Sequence, residues 1–202
     1  MSRNKQDPPE TDKKPESIIA RIIEAASILF EKQGLYETSV AEIAEVAGLS
    51  VPETYHYVKR KAEILLLIME DFTTKFKDRV QPEIQALTDP KIRLARAMEV
   101  FFNLVDEHLI KAVLIYRMSR SLEPEGRARI KAAELEHLHI FEKIIKDGLE
   151  RGEFKTEDAN LAAYNIIMAG HAWALKKWHW AKRWTLDEYT RLQINMTLKA
   201  LS

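Results

Sequence analysis

The chain has 202 residues, 46% of them hydrophobic, enough for one or two domains with a proper apolar core. Its 31 basic and 31 acidic residues cancel, so any contact with nucleic acid must rest on local patches rather than on overall charge. The absence of cysteine excludes disulfides, cysteine-ligated zinc and thiol catalysis, and no apolar run is long enough for a membrane span.

Residues 1–14 are polar and charged, with Pro8 and Pro9, and read as a disordered tail. Arg3, Lys5, Lys13 and Lys14 would suit an arm on a DNA backbone, but Asp7, Glu10 and Asp12 dilute that charge. The N-terminus carries no apolar signal-peptide core, so a soluble, cytoplasmic protein is expected. From Ser17, the residues Ile19, Ile22, Ala26, Leu29 and Phe30 form an apolar stripe at helical spacing. Gly34 is expected to end that helix.

The stretch from Ser39 to Lys61 is the most informative. Val40, Ile43, Ala44 and Ala47 share one helical face. Gly48 then supplies a residue free to take positive φ, and Leu49 pins the turn. Ser39-x-x-Glu42 and Ser50-x-x-Glu53 both have capping-box form, and Pro52 sits in a first helical turn, where its missing N–H costs nothing. This is the layout of a helix-turn-helix, whose second helix can enter a DNA major groove.

Three runs carry a family resemblance. They are Ala25-Ala26-x-x-Leu29-Phe30-x-x-x-Gly34, Thr38-Ser39-Val40-x-x-Ile43-Ala44-x-x-Ala47-Gly48-Leu49-Ser50, and Tyr55-x-Tyr57-Val58-Lys59-x-Lys61-x-x-Ile64-Leu65. Together they resemble the TetR family of bacterial transcriptional regulators. The resemblance implies a helix-turn-helix domain over 15–60 and a helical ligand-binding and dimerisation domain over 61–202. It also implies no enzymatic activity and no cofactor. Four positions depart from the family pattern. Val51 and Pro52 stand where Lys and Gly are frequent, Thr54 where Leu or Ile is common, and Val58 where an aromatic is usual.

A long helix is expected over 61–80, stopping before Pro82, with Ile64, Leu65, Ile68, Met69, Phe72 and Phe76 on its apolar face. In the resembling family this element joins the DNA-binding head to the body. Helices are then expected at 90–108, 110–121, 125–151, 157–182 and 186–201, punctuated by Pro90, Pro124, Gly152 and Thr185. Strand alternation is absent, so the class is all-α. The 157–182 segment is apolar on two sides, with Tyr164, Met168, His171, Leu175 and Trp178 opposite Ile166, Ala169, Trp173 and Trp180. Burying both sides calls for a second layer or a second subunit, and both faces could also be covered within one chain. In the resembling family the last long helices form the dimer interface, so the segments at 125–151 and 157–182 are expected to form a homodimer interface.

Double-stranded DNA is the expected partner. Val51, Thr54 and His56 can meet base edges, and Ser50 caps the helix that carries them. Thr38 and Ser39 sit at a helix start suited to phosphate. Tyr55 and Lys61 lie where the family touches phosphate, while Tyr57 is expected to pack inward. Glu53 has two readings, a cap partner for Ser50 or an acceptor for a cytosine amino group. For a small-molecule effector, Phe101, Phe102, Val105, Tyr116, Tyr164, Met168 and Trp178 supply apolar lining, with His108, Arg117 and His171 as anchors for a polar or anionic end. Such a mixture suits a hydrophobic carboxylate, an acyl-coenzyme A thioester or an aromatic compound. No His-x-x-x-His pair exists, and neither His137 with His139 nor His171 with His179 is spaced to chelate, so no metal is expected. The expectation is a dimeric, ligand-responsive repressor on a palindromic operator. The alternative is a constitutive regulator of the same fold with no effector.

Overall fold

A computed structural model describes residues 17–118 and 122–202. Among the described residues it forms ten helices and contains no strand. They are α1 (Ile18–Glu37), α2 (Val40–Val46), α3 (Val51–Tyr57), α4 (Lys61–Ile84), α5 (Pro90–Glu107), α6 (Leu109–Met118), α7 (Pro124–Glu150), α8 (Ala159–Leu175), α9 (Lys177–Trp180) and α10 (Leu186–Ala200). The tail at 1–14 and the side chain of Arg117 lie outside the described residues.

Two apolar cores share these helices. One collects Ile22, Ala26 and Phe30 of α1, Ile43 of α2, Val58 and the start of α4, and reaches Leu114 of α6 and Ile130 of α7. The other is built from the end of α4 with α5, α7, α8 and α10, around Phe76, Phe101, Phe102 and Phe141. Helix α4 contributes to both, with Ile64, Leu65 and Ile68 in the first and Phe72, Phe76 and Val80 in the second. The three-helix head therefore has little core of its own and borrows one from the body.

Gly34 interrupts α1 as expected: it takes φ 85° and ψ 163°, a conformation any side chain would resist, and a short helical turn follows to Glu37. Two other boundaries differ from expectation. Helix α4 passes through Pro82 and ends at Ile84. The missing N–H falls near the end of the helix, where it interrupts little of the ladder, and continuing the helix buries Ile84 at 5% exposure. The expected helix at 157–182 is broken after Leu175, where Lys176 takes φ −123° and ψ 23°. Trp180 then folds back so that its indole N–H donates at 3.2 Å to the Ala172 carbonyl, which also accepts from Lys176 N–H at 3.0 Å.

Candidate functional site

The head is assembled by caps and one arginine. Ser39 and Glu42 close a full capping box: Glu42 N–H donates to Ser39 Oγ (3.1 Å), and Ser39 N–H donates to Glu42 Oε2 (2.7 Å). That backbone hydrogen bond holds the Glu42 carboxyl below its ordinary range. Only half of the second box forms, with Glu53 N–H donating to Ser50 Oγ at 3.2 Å. Between the caps, Gly48 takes φ 64° and Leu49 N–H donates to Ala44 O at 2.8 Å. The Arg21 guanidinium reaches from α1 across this turn, donating to Ala47 O at 2.9 and 2.5 Å and to Gly48 O at 2.7 Å. A Cβ at position 48 would lie 3.0 Å from Arg21 Nη2, so the glycine serves both the turn and its clamp. The fork geometry of Arg21 carried no motif signal in the sequence.

Ser39, Ser50, Val51, Tyr55 and His56 are exposed on the head, together with Pro52, Glu53 and Tyr57. Tyr57 is 41% exposed, contrary to the expectation that it packs inward, because Val58 takes the buried position beside it. Thr38 and Thr54 are buried and turn their hydroxyls onto the chain, donating to Gly34 O (2.8 Å) and Ser50 O (3.1 Å). Lys61 Nζ donates to Leu35 O and Tyr36 O, both at 2.8 Å, and so ties the start of α4 to the end of α1. The exposed face of α3 thus offers Val51, Tyr55 and His56 outward, while both threonines serve the fold.

In the body, Phe101, Phe102 and Val105 are fully buried. Phe101 is the centre of an aromatic cluster: its ring lies 5.2 Å from Phe76, 6.5 Å from Phe72, 5.7 Å from Phe141, and 6.3 Å from both His137 and His171. His108 joins through Phe72 at 6.4 Å. The backbone approaches closely here, since a Cβ on Gly170 would stand 2.5 Å from Phe101 Cε1. Burial pushes the His137 imidazole down to about 3 and that of His171 to about 4, and it lowers His108 as well. Tyr116 is half exposed and meets His171 edge-on at 5.9 Å, so the cluster reaches the surface between α6 and α8.

Tyr164 and Met168 sit on the outward stripe of α8, and the Tyr164 hydroxyl donates to Glu134 at 3.2 Å. Trp178 stands at the surface of α9, 67% exposed, with His179 as its ring neighbour. The structure thus brings Phe101, His108, Tyr116 and His171 together and leaves Trp178 apart. His137, weighed in the sequence only as a metal ligand, proves to be a member of the cluster. Its helical position beside Leu138 and Phe141 was the available signal. Among the described residues no group of three metal-binding side chains exists, and no helix is long and apolar enough to cross a membrane.

Comparison with known proteins places this arrangement. Residues 22–68 match the family model described as "Bacterial regulatory proteins, tetR family", and residues 87–201 match "Tetracyclin repressor-like, C-terminal domain". The HTH-type transcriptional regulator HbdR of Aromatoleum sp. (strain CIB) is 34% identical over 169 residues, covering 84% of this chain and 74% of that protein. FadR from Bacillus subtilis, solved in complex with stearoyl-CoA, superposes with a TM-score of 0.78 at 23% identity, over 90% of this chain and 98% of that one. AibR, solved in complex with isovaleryl coenzyme A and operator DNA, superposes with a TM-score of 0.74 at 22% identity, over 89% and 97%. With a helix-turn-helix head, an all-helical body and family models matched across both, the chain belongs to the TetR family of bacterial transcriptional regulators and is a DNA-binding regulator rather than an enzyme.

Proposed function

We propose that this regulator is a dimeric repressor that binds a palindromic operator and is released from it by an acyl-type small molecule. One observation carries the reading. Helix α4 places Phe72 and Phe76 against the histidine cluster and, on the same rod, places Lys61 in the head. A ligand entering that cluster must displace groups packed on α4, and a tilt of α4 moves α1 through Lys61. Two recognition helices held on one dimer must reach both half-sites together, so a small change in their separation weakens binding sharply. FadR and AibR bound to acyl-coenzyme A molecules support a thioester as the effector class.

The apolar residues left exposed by the body favour a particular dimer surface. Leu161 of α8 and Met196 of α10 are 60% and 64% exposed and line one groove with Ala162, Asn165 and Gln193. Helix α7 packs on α4, α5 and α8. The interface is therefore drawn on α8 and α10, where the sequence reading drew it on 125–151 and 157–182. On the head, Ser39, Tyr55 and Lys61 suit phosphate, and Val51 and His56 suit base edges.

Selection of bound fragments from genomic DNA should recover a palindrome. Gel-shift titration of that palindrome with isovaleryl-CoA and stearoyl-CoA should then show release. Recovery of a palindrome that no thioester releases would favour the constitutive regulator, and recovery of no enriched sequence would sink the operator reading.

A further inference from the structure

His108 Nε2, His137 Nε2 and His171 Nδ1 are each buried without a hydrogen-bond partner among the described residues. An unpaired buried polar nitrogen costs roughly 1–3 kcal/mol, and native folds hold few of them. Three around one pair of phenylalanines is a concentration that packing alone does not account for. His137 lies 5.5 Å from Phe72, and His108 lies 6.4 Å from the same ring. His137 and His171 both lie 6.3 Å from Phe101. The three side chains come from the end of α5, from α7 and from α8, and they gather around one small volume, that of the Phe72 and Phe101 rings.

The chemistry of that volume is polar and uncharged. Desolvation keeps all three imidazoles neutral near pH 7. A neutral imidazole offers one N–H donor and one acceptor nitrogen. It satisfies a hydroxyl or a carbonyl well, but it brings no charge to balance a carboxylate. The nearby cation Lys111 is engaged by Glu24 at 3.2 Å and faces Asp71 at 3.9 Å. Lys75 is likewise paired with Asp71 at 2.7 Å. An anionic end buried here would find no free counter-charge among these groups, and a bare alkyl chain would leave three nitrogens unpaired.

We propose that His108, His137 and His171 form the polar recognition set of the effector site, and that the buried end of the effector is uncharged and oxygen-bearing. The class is a hydroxy- or oxo-substituted acyl or aromatic acyl group, rather than a plain alkyl chain or a carboxylate. The inference rests on the thioester-effector reading above and narrows it. Discrimination follows the usual asymmetry: a site built to pair with a hydroxyl rejects the analogue lacking it more strongly than an apolar pocket rejects an added hydroxyl.

Calorimetric titration of the full chain with matched thioesters decides it. The pairs are hexanoyl-CoA with 3-hydroxyhexanoyl-CoA and benzoyl-CoA with hydroxybenzoyl-CoA, and glutaryl-CoA tests a terminal carboxylate. In at least one pair the hydroxylated member should bind about tenfold more tightly, equal to about 1.4 kcal/mol, and glutaryl-CoA should bind more weakly than either member. In His137→Phe and His171→Phe that preference should shrink while the unsubstituted thioester binds as well or better. If a variant fails to fold, the comparison within the native protein still decides. Equal binding within both pairs, or tighter binding of glutaryl-CoA, would overturn the inference and leave the thioester-effector reading standing. Binding of no thioester would overturn both.

Discussion

At the scale of single residues, the head depends on groups that hold its own turn together. Arg21 satisfies two carbonyls of the turn from a different helix, and a charged donor of this kind contributes roughly 1.5–3 kcal/mol when its acceptors are shielded from water. Its sites are partly exposed, so Arg21→Ala should cost about 1–2 kcal/mol in chemical denaturation. Operator affinity should also fall, because the angle between α2 and α3 is no longer held. Unchanged affinity in a gel shift would show that the turn holds itself. Gly148 makes the opposite case, a residue defined by what it lacks. A Cβ there would lie 2.1 Å from Phe154 Cδ2, and Phe154 is almost fully buried. Gly148→Ala should therefore destabilise by about 1–3 kcal/mol, with part regained in the double variant carrying Phe154→Leu. Thermal melts of the two variants check this directly. The close approach at Gly148 was invisible in the sequence, where the glycine sat inside a helical pattern with no sign of what faced it.

At the scale of elements, α6 is the short connector between head and body. It packs on α1, α4 and α8, and its Lys111, only 7% exposed, lies between Glu24 of α1 and Asp71 of α4. Removing one partner of an ion pair is costly chiefly when the charge left behind is buried and unpaired, whereas here Glu24 is more than half exposed and Asp71 keeps Lys75 at 2.7 Å. Lys111→Met should therefore stay within about 1 kcal/mol of the parent in a melt, yet loosen α1 from the body. Operator release by the effector should weaken as a result, and full release in a gel shift would show that α6 carries no coupling. The element boundaries teach a related lesson. The capping box at Thr185 and Glu188 forms as its spacing indicates, because a cap uses only local groups. The break after Leu175 had no such signal. It depends on Asp106 at the end of α5, which accepts from the Trp173 indole at 2.7 Å and from Lys177 at 2.5 Å and so holds the end of α8 in place.

At the scale of the whole molecule, the buried imidazoles make stability depend on acid. In the unfolded chain they titrate near 6.5, whereas in the fold His137 stays neutral to about 3 and His171 to about 4. Between those values the unfolded chain binds protons that the folded chain does not, so lowering the pH favours unfolding. The contribution is full above pH 6.5 and is lost towards pH 4 and below, with a slope of roughly 1.4 kcal/mol per pH unit for each group. Denaturation midpoints at pH 7.5, 6 and 5 should fall in that order, and His137→Phe should flatten the decline. The assembly can be tested at the same scale. Leu161→Glu together with Met196→Glu places charge in the exposed groove between α8 and α10. Sedimentation should report a dimer for the parent and a monomer for this variant, with intact helicity and lost operator binding. A dimer that survives would move the interface elsewhere.

What the sequence determined by itself was local. The helix-turn-helix followed from Gly48, the Ser39 cap and the apolar spacing of Ile43 and Ala47, because turns and caps are set by neighbours a few residues away. Helical class and most boundaries followed from the same short-range periodicity. Only the tertiary structure decided which residues meet. It turned Thr38 and Thr54 inward, brought His137 beside His108 and His171, and left Trp178 at the surface. Those outcomes depend on which face of each helix the shared core claims, and that choice is made by packing among helices far apart in the chain. A histidine on a periodic stripe reads alike whether it fills a core or awaits a ligand. What distinguishes these three is that their nitrogens end up buried together with no partner among the described residues.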